Sequence, residues 1–290
     1  MPSPFGVLAS ILDGVLVGAV YGLAAMGLTL IWGVMNVINL THGAMIVAGM
    51  FALYYLAGVA GAPVYASVLP IALAGFLFGV CLYWIAVHRV IGRPPLMSLL
   101  ATFAANLALI GLGTAAWGTV LFNVPVSLPG ISYQGYTFTG THMMAAALTA
   151  VIAGLLYLFL YRTRPGKAIR AVAGNREAAE LNGIPTTRVL ALAFGLGVAL
   201  ACASGALIAT LFPFTVLSGT AYQLKSFVVT VLGGLGNPAG ALLGGIALGL
   251  LEGAMTPFMP VSWTSIAEFV VFVIVLIAFP AGLFNFRRQR

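Results

Sequence analysis

RTRPGKAIRAVAGNREAAELNGIPTTR, residues 162–188, decides how this chain is read. Only 6% of the protein is charged, yet this stretch holds six of its 12 Lys and Arg and two of its five acids. Apolar runs long enough to cross a bilayer flank it on both sides. A polar island between such runs is a large loop on one face of a membrane. Its middle carries its own helix signals. Asn175 is a good N-cap, and Glu177 and Glu180 fall in the first turns, where acids suit the helix dipole. Gly183 suits the C′ stop and Pro185 follows it. A helix of about two turns is too short to stand alone in water. It is therefore expected to dock on the membrane domain or on a soluble partner. Pro165–Gly166 is expected to end the preceding span and turn the chain.

The rest of the composition agrees. The 290 residues are 62% hydrophobic, with a mean hydropathy of +1.12. A soluble domain would carry about 25% charged residues. The chain is thus expected to be an all-α polytopic membrane protein, a single transmembrane domain over 1–290 without linker or soluble module. The pI near 9.7 reflects a few loop charges. A basic patch interleaved with aromatics is absent, so nucleic acid is not expected as a partner. Cys81 and Cys202 lie in apolar runs and read as inert core residues. His42, His88 and His142 lack metal-ligand spacing. The start MPSPFGVLAS has no basic n-region, so no removable signal peptide is expected, and the first span is expected to direct insertion.

Spans are read near 9–33, 42–60, 64–88, 95–118, 142–161, 189–212, 226–255 and 263–283, about eight membrane elements. Basic residues cluster at Arg89 and Arg93, in 162–188, and at Arg287, Arg288 and Arg290, while Lys225 stands alone. The positive-inside rule puts all three clusters, and with them the C-terminus, in the cytoplasm. Loop 119–141, without Lys or Arg, is then outside. Three single crossings after the central loop would leave the C-terminus on the wrong side. The parity is repaired if 226–255 breaks at VLGGLGNPAGALLGG and returns to the side it came from. Gly233, Gly234, Gly236, Pro238 and Gly240 supply that break. Irregular backbone at membrane depth must be buried in protein or line a cavity. The break is therefore expected to mark the interior, and a candidate transport path. A second interruption, WGVMNVINLTHG (32–43), carries Asn36, Asn39, Thr41 and His42. Interrupted segments point to midplane binding sites in transporters, although these two interruptions share no convincing sequence similarity.

Enzyme chemistry finds no foothold. No GxSxG, HExxH, CxxC or Walker lysine motif is present, and no GK[ST] follows the glycines of GLGNPAG. The chain has no visible means of hydrolysing a nucleotide, so an active transporter of this sequence would take its energy from a partner or an ion gradient. Ion coupling would rely on intramembrane acids. The candidates are Asp13, Glu252 and Glu268, none with a basic partner in its own span. Glu252 either lines the path or pairs with a base. Asn36, Asn39, Thr41 and His42 either bind substrate or bond between helices, and the small residues from Gly195 to Gly205 are expected to allow close helix packing.

GNREAAELNGI resembles the cytoplasmic EAA-type loop of ABC-importer permeases, with Glu177, Ala178, Ala179 and Gly183 at the matching positions. GLTLIWGVMNVINLTHGAMIVAGMF (27–51) and SFVVTVLGGLGNPAGALLGG (226–245), followed by Glu252, are similar to the permeases of branched-chain amino acid ABC importers, and to the shorter subunit of the permease pair. The resemblance implies a bacterial inner-membrane permease. It would form the path with a second, different permease and be driven by two cytoplasmic ATPases. A periplasmic binding protein would deliver the substrate. This chain would bind no cofactor, the ATP being used by the ATPases. The family also handles urea, short amides and other amino acids. The competing readings are an ion-coupled secondary carrier and a passive channel for a small neutral solute.

Overall fold

The computed structural model describes residues 4–133, 136–279 and 282–284. Its frame is helical: α1 (Pro4–Met35), α2 (His42–Leu53), α3 (Val68–Leu82), α4 (Pro95–Trp117), α5 (Gly140–Arg162), α6 (Arg164–Gly174), α7 (Arg176–Leu181), α8 (Thr186–Ala209), α9 (Gly219–Gly233), α10 (Pro238–Met255) and α11 (Val261–Ala278). α2 and α3 run on through π-helical turns at Tyr54–Val59 and Tyr83–Val87. Among the described residues, seven helices are long and apolar enough to cross a membrane. The segment expected to be a bare loop, 119–141, contains a two-stranded hairpin, β1 (Ile131–Tyr133) and β2 (Tyr136–Phe138). Phe122 also bridges to Phe214 at that end of the bundle.

α1 is the axis of the bundle. Its Gly14, Gly18 and Gly22 face Gly253, Gly249 and Gly245 of α10 running the other way. A Cβ built on Gly18 would sit 2.5 Å from the Gly245 carbonyl oxygen, and one on Gly249 would sit 2.1 Å from that of Gly14. The two backbones therefore touch, which only glycine permits. α8 is the second buried element. Gly197 packs on Ile31 of α1, Gly195 on Phe76 and Val80 of α3, and Gly205 on the backbone of Ile46 in α2. The small residues of this helix do allow the close packing expected of them. Cys202 is buried there and its thiol donates to the Met45 carbonyl oxygen at 3.3 Å. Cys81, expected in the core, is instead exposed on the outside of α3.

The run 226–255 is two legs. α9 begins earlier than expected, at Gly219, and runs parallel to α1, with the rings of Tyr222 and Tyr21 6.3 Å apart and Thr230 hydrogen-bonded to Thr29 at 3.1 Å. Gly234 (φ 93°) and Gly236 (φ 82°) then turn the chain through left-handed backbone. The Asn237 side chain caps α10 by accepting from the Gly240 N–H at 3.1 Å, with Pro238 in the first turn. α10 returns antiparallel to α1. The parity mismatch is resolved as expected, by a break that reverses direction.

The place of the break differs from expectation. Gly236 packs against Gly33, near the end of α1, and Leu283 donates to the Leu232 carbonyl oxygen at 2.9 Å. The turn thus lies at the end of the bundle that carries residues 162–188, not at its centre. The deep interruption is the other one. α1 ends at Met35, Asn36 takes left-handed backbone (φ 53°), and α2 restarts at His42 beside Ala24. Ala24 lies about 17 Å back along α1 at 1.5 Å per residue. The basic cluster Arg287, Arg288 and Arg290 lies outside the described residues.

Gly18→Leu should break the α1–α10 contact and lower stability in detergent by more than about 3 kcal/mol. Gly111→Leu, on α4 where an added Cβ meets nothing within 4 Å, should melt near the parent temperature. A thermal-unfolding comparison of the two checks this.

Candidate functional site

The loop 162–188 folds into two helices. The turn expected at Pro165–Gly166 is instead the start of α6. Thr163 is its N-cap, accepting from the Gly166 N–H at 3.1 Å, and Pro165 sits in the first turn, where its missing N–H costs nothing. Ile169 and Val172, one turn apart, bury one face. α7 then forms as the sequence predicts. The Asn175 side chain accepts from the Ala178 N–H at 2.9 Å, and Glu177 lies in the first turn. At the far end Gly183 (φ 76°) donates to the Glu180 carbonyl oxygen and Ile184 to that of Ala179, the paired bonds of a Schellman stop. Ala179 is buried and anchors the helix, while Glu177, Ala178 and Gly183 face outward.

Glu180 fastens α7 to α8. It accepts from the Thr186 hydroxyl and pairs with Arg176 at 3.4 Å. The Thr186 hydrogen bond, with the Arg176 charge behind it, holds this carboxyl below its usual range. Leu181, which nothing in the sequence singled out, is 90% exposed at the last turn. A two-turn helix offers no periodicity from which an unpartnered apolar residue could be recognised.

The polar residues of the first interruption divide into two groups. Asn36 lines a crevice of about 410 Å³ at the loop end, together with Arg93, Asn175 and Arg176. The structure thus brings a candidate path residue and the N-cap of α7 around one space. Asn39, Thr41 and His42 are fully buried at the start of α2. The Asn39 side-chain oxygen Oδ1 accepts from the Thr41 N–H at 3.1 Å and from the Thr41 hydroxyl at 2.5 Å. His42 Nε2 donates to the Ala24 carbonyl oxygen at 2.9 Å. Gln223 of α9 closes the arrangement, accepting from the Gly43 N–H at 2.5 Å and donating to the Asn39 carbonyl oxygen at 3.3 Å. Asn39 Nδ2 and His42 Nδ1 have no hydrogen-bond partner among the described residues.

Glu252 does not join either group. It pairs with Lys225, the basic residue that stood alone in the sequence, and Lys225 also donates to Glu268 at 3.0 Å. The ammonium lies 4.8 Å from the centre of the Tyr21 ring. This cluster ties α9, α10 and α11 to α1, and the side chains of Glu252 and Glu268 are 16% and 5% exposed. The third interior acid, Asp13, is 2.5 Å from His142 and joins the N-terminal ends of α1 and α5. All three acids thus find bases on other helices, which sequence separation concealed. Of the glycine break, Gly236 and Pro238 line a larger crevice with Arg170, whereas Gly233, Gly234 and Gly240 are buried in helix contact.

Lys225→Ala would leave two buried carboxylates without a cation and should destabilise the chain by about 3–5 kcal/mol. Adding Glu252→Gln and Glu268→Gln should recover most of that loss in a thermal melt.

The chain is similar throughout its length to known permeases. Residues 10–279 match the family described as branched-chain amino acid transport system / permease component. The high-affinity branched-chain amino acid transport system permease protein LivH of Salmonella typhimurium is 28% identical, covering 95% of this chain and 94% of the relative. The corresponding protein BraD of Pseudomonas aeruginosa is 26% identical over 98% of this chain and 97% of its own. The ribose import permease protein RbsC of Bacillus subtilis is 31% identical, but over only 38% of this chain and 36% of its own. With that match and the multi-pass helical frame, the chain belongs to the branched-chain amino acid transport system permease family.

Proposed function

We propose that this chain and a second permease subunit form the translocation path of an ATP-binding-cassette importer in a bacterial inner membrane, carrying branched-chain or related amino acids. Full-length similarity to amino-acid permeases, against a partial match to a sugar permease, supports that cargo class. A periplasmic binding protein delivers the substrate, and two ATPases sit on the cytoplasmic side with loop 162–188. The ATP belongs to those subunits, and this chain holds no cofactor and catalyses no reaction.

The observation that carries the coupling role is α7. It is a capped, Schellman-stopped helix of six residues whose Glu177, Ala178 and Leu181 face outward with nothing of this chain to cover them among the described residues. A groove on an ATPase supplies the cover. Asn175 and Gly183 fix the ends of that docking element, and Ala179 roots it in the membrane domain. Inside the bundle, Asn39, Thr41 and His42 at the start of α2 are the polar groups nearest a path, and Asn36 lies at its loop end. Glu252, held by Lys225, acts by positioning α10 rather than by touching cargo. Urea, short amides or other amino acids are the alternative cargoes, and the ligand that stabilises the partner binding protein decides among them.

Proteoliposomes holding both permeases and both ATPases should take up isoleucine only with ATP and binding protein. Uptake by this chain alone would overturn the reading. Ala178→Cys should cross-link to an ATPase subunit in the assembled complex. Leu181→Asp should cut uptake at least about tenfold, the cost of roughly 1.4 kcal/mol of lost docking, while the permease itself melts normally.

A further inference from the structure

A crevice of about 700 Å³ lies between α5 and α10 where both flank α1, and none of the transport roles above uses it. Its length is apolar, walled by Met26, Leu30 and Val34 of α1, Ala153 of α5 and Leu242 of α10. Its loop end is built differently. Arg170 of α6 lies there with its guanidinium 4.3 Å above the Tyr161 ring, its Nε donating to the Leu160 carbonyl oxygen at 3.0 Å. Tyr161 in turn stacks on Tyr157, with centroids 4.4 Å apart. The cation is therefore held in place, yet no carboxylate pairs with it among the described residues. Arg162, Arg164 and Lys167, exposed on the same short segment, also lack an acidic partner there. One unpaired cation thus lines the end of an apolar slot, and three more lie on the same short segment.

We propose that this crevice binds an anionic phospholipid. An acyl chain fills the slot along α1, and the phosphate sits at Arg170. Three features fit that occupant together. Stacked tyrosines are side chains that favour the headgroup level of a bilayer. A basic end on an interhelical pocket at the loop face matches the chemistry of acidic lipid headgroups. The outer side of α5, with Leu155 and Leu158 more than half exposed, gives the slot a lipid-facing flank. An apolar helix of a second permease would fit the slot less well, because it would bury the Arg170 charge without a counter-charge. A lipid phosphate neutralises that charge at the membrane surface, where it stays partly solvated.

The test uses the assembled complex, delipidated in detergent and titrated with phosphatidylglycerol or phosphatidylcholine under native mass spectrometry. Phosphatidylglycerol should bind in preference. Arg170→Ala should weaken phosphatidylglycerol binding about fivefold and leave phosphatidylcholine unchanged. Gly154→Leu fills the slot without touching the charge. An added Cβ at Gly154 meets nothing within 4 Å, so this variant should fold and melt like the parent while losing bound phosphatidylglycerol. Parental affinity for phosphatidylglycerol in both variants would overturn the site. So would a cross-link from a cysteine at Ala150, which also lines the slot, to the second permease in the intact complex. Neither outcome bears on ATP-driven uptake, so the lipid site and the transport reading fail separately.

Discussion

Backbone-to-backbone contact between α1 and α10 is the constraint on which the rest of this bundle depends. Lipid tails are as apolar as leucine, so helices in a membrane gain little by hiding apolar side chains from one another. What remains is short-range dispersion, weak for each atom pair and large only when many atoms meet. Three glycines on α1 opposite three on α10 bring the two backbones close enough for that. The same contact aligns the ends. With α10 fixed against α1, the turn at Gly234–Gly236 must fall beside Gly33, and α9 must run back alongside α1.

Close packing of this kind makes the protein itself the chief source of partners for polar groups drawn into the bundle, although Asn39 Nδ2 and His42 Nδ1 have none among the described residues. The start of α2 is the most demanding case, because a helix N-terminus presents N–H groups without intrahelical acceptors. Gln223 takes the Gly43 N–H and Asn39 takes that of Thr41. Both answers come from segments the glycine contacts have already positioned, since Gly43 itself rests on Gly219 at the start of α9. Lys225, two residues beyond Gln223, meets Glu252 and Glu268 by the same arrangement. One short helix, α9, thus supplies one of the polar caps and the counter-charge that a broken, acid-bearing interior requires.

Elements defined by local signals were readable from the sequence. The apolar runs located the spans, and Asn175, Glu177 and Gly183 gave α7 both of its ends because capping depends on neighbours three or four residues away. The two-legged nature of 226–255 followed from charge parity, a global constraint that needs no contacts. Pairings across the chain were out of reach. Lys225 and Glu268 are 43 residues apart, and His142 and Asp13 are 129 apart, distances at which a single sequence holds no record of proximity. The start of α6 was misjudged for a different reason. Pro165–Gly166 reads as a turn by composition, yet Thr163 as a cap converts the same proline into a first-turn residue. Leu181 went unremarked because six helical residues are too few to show which apolar side chain is left over.

The route from α7 to the interior is short and physical. α7 is rooted through Ala179 and Glu180, and its cap Asn175 shares a crevice with Arg93 before α4 and Asn36 at the end of α1. In the proposed coupling role, a load applied to α7 would reach the ends of α1 and α4 that frame this crevice. From there it has few ways to dissipate. No Cβ-sized gap exists where the glycines of α1 and α10 meet, so local side-chain repacking cannot absorb shear at that contact. The stretch from Asn36 to Thr41 has no helical hydrogen-bond ladder and leads directly to the buried start of α2. If α7 docks an ATPase as proposed, glycine-packed legs with one unladdered joint between them would direct a push at the membrane surface toward Asn39 and His42 rather than into diffuse strain.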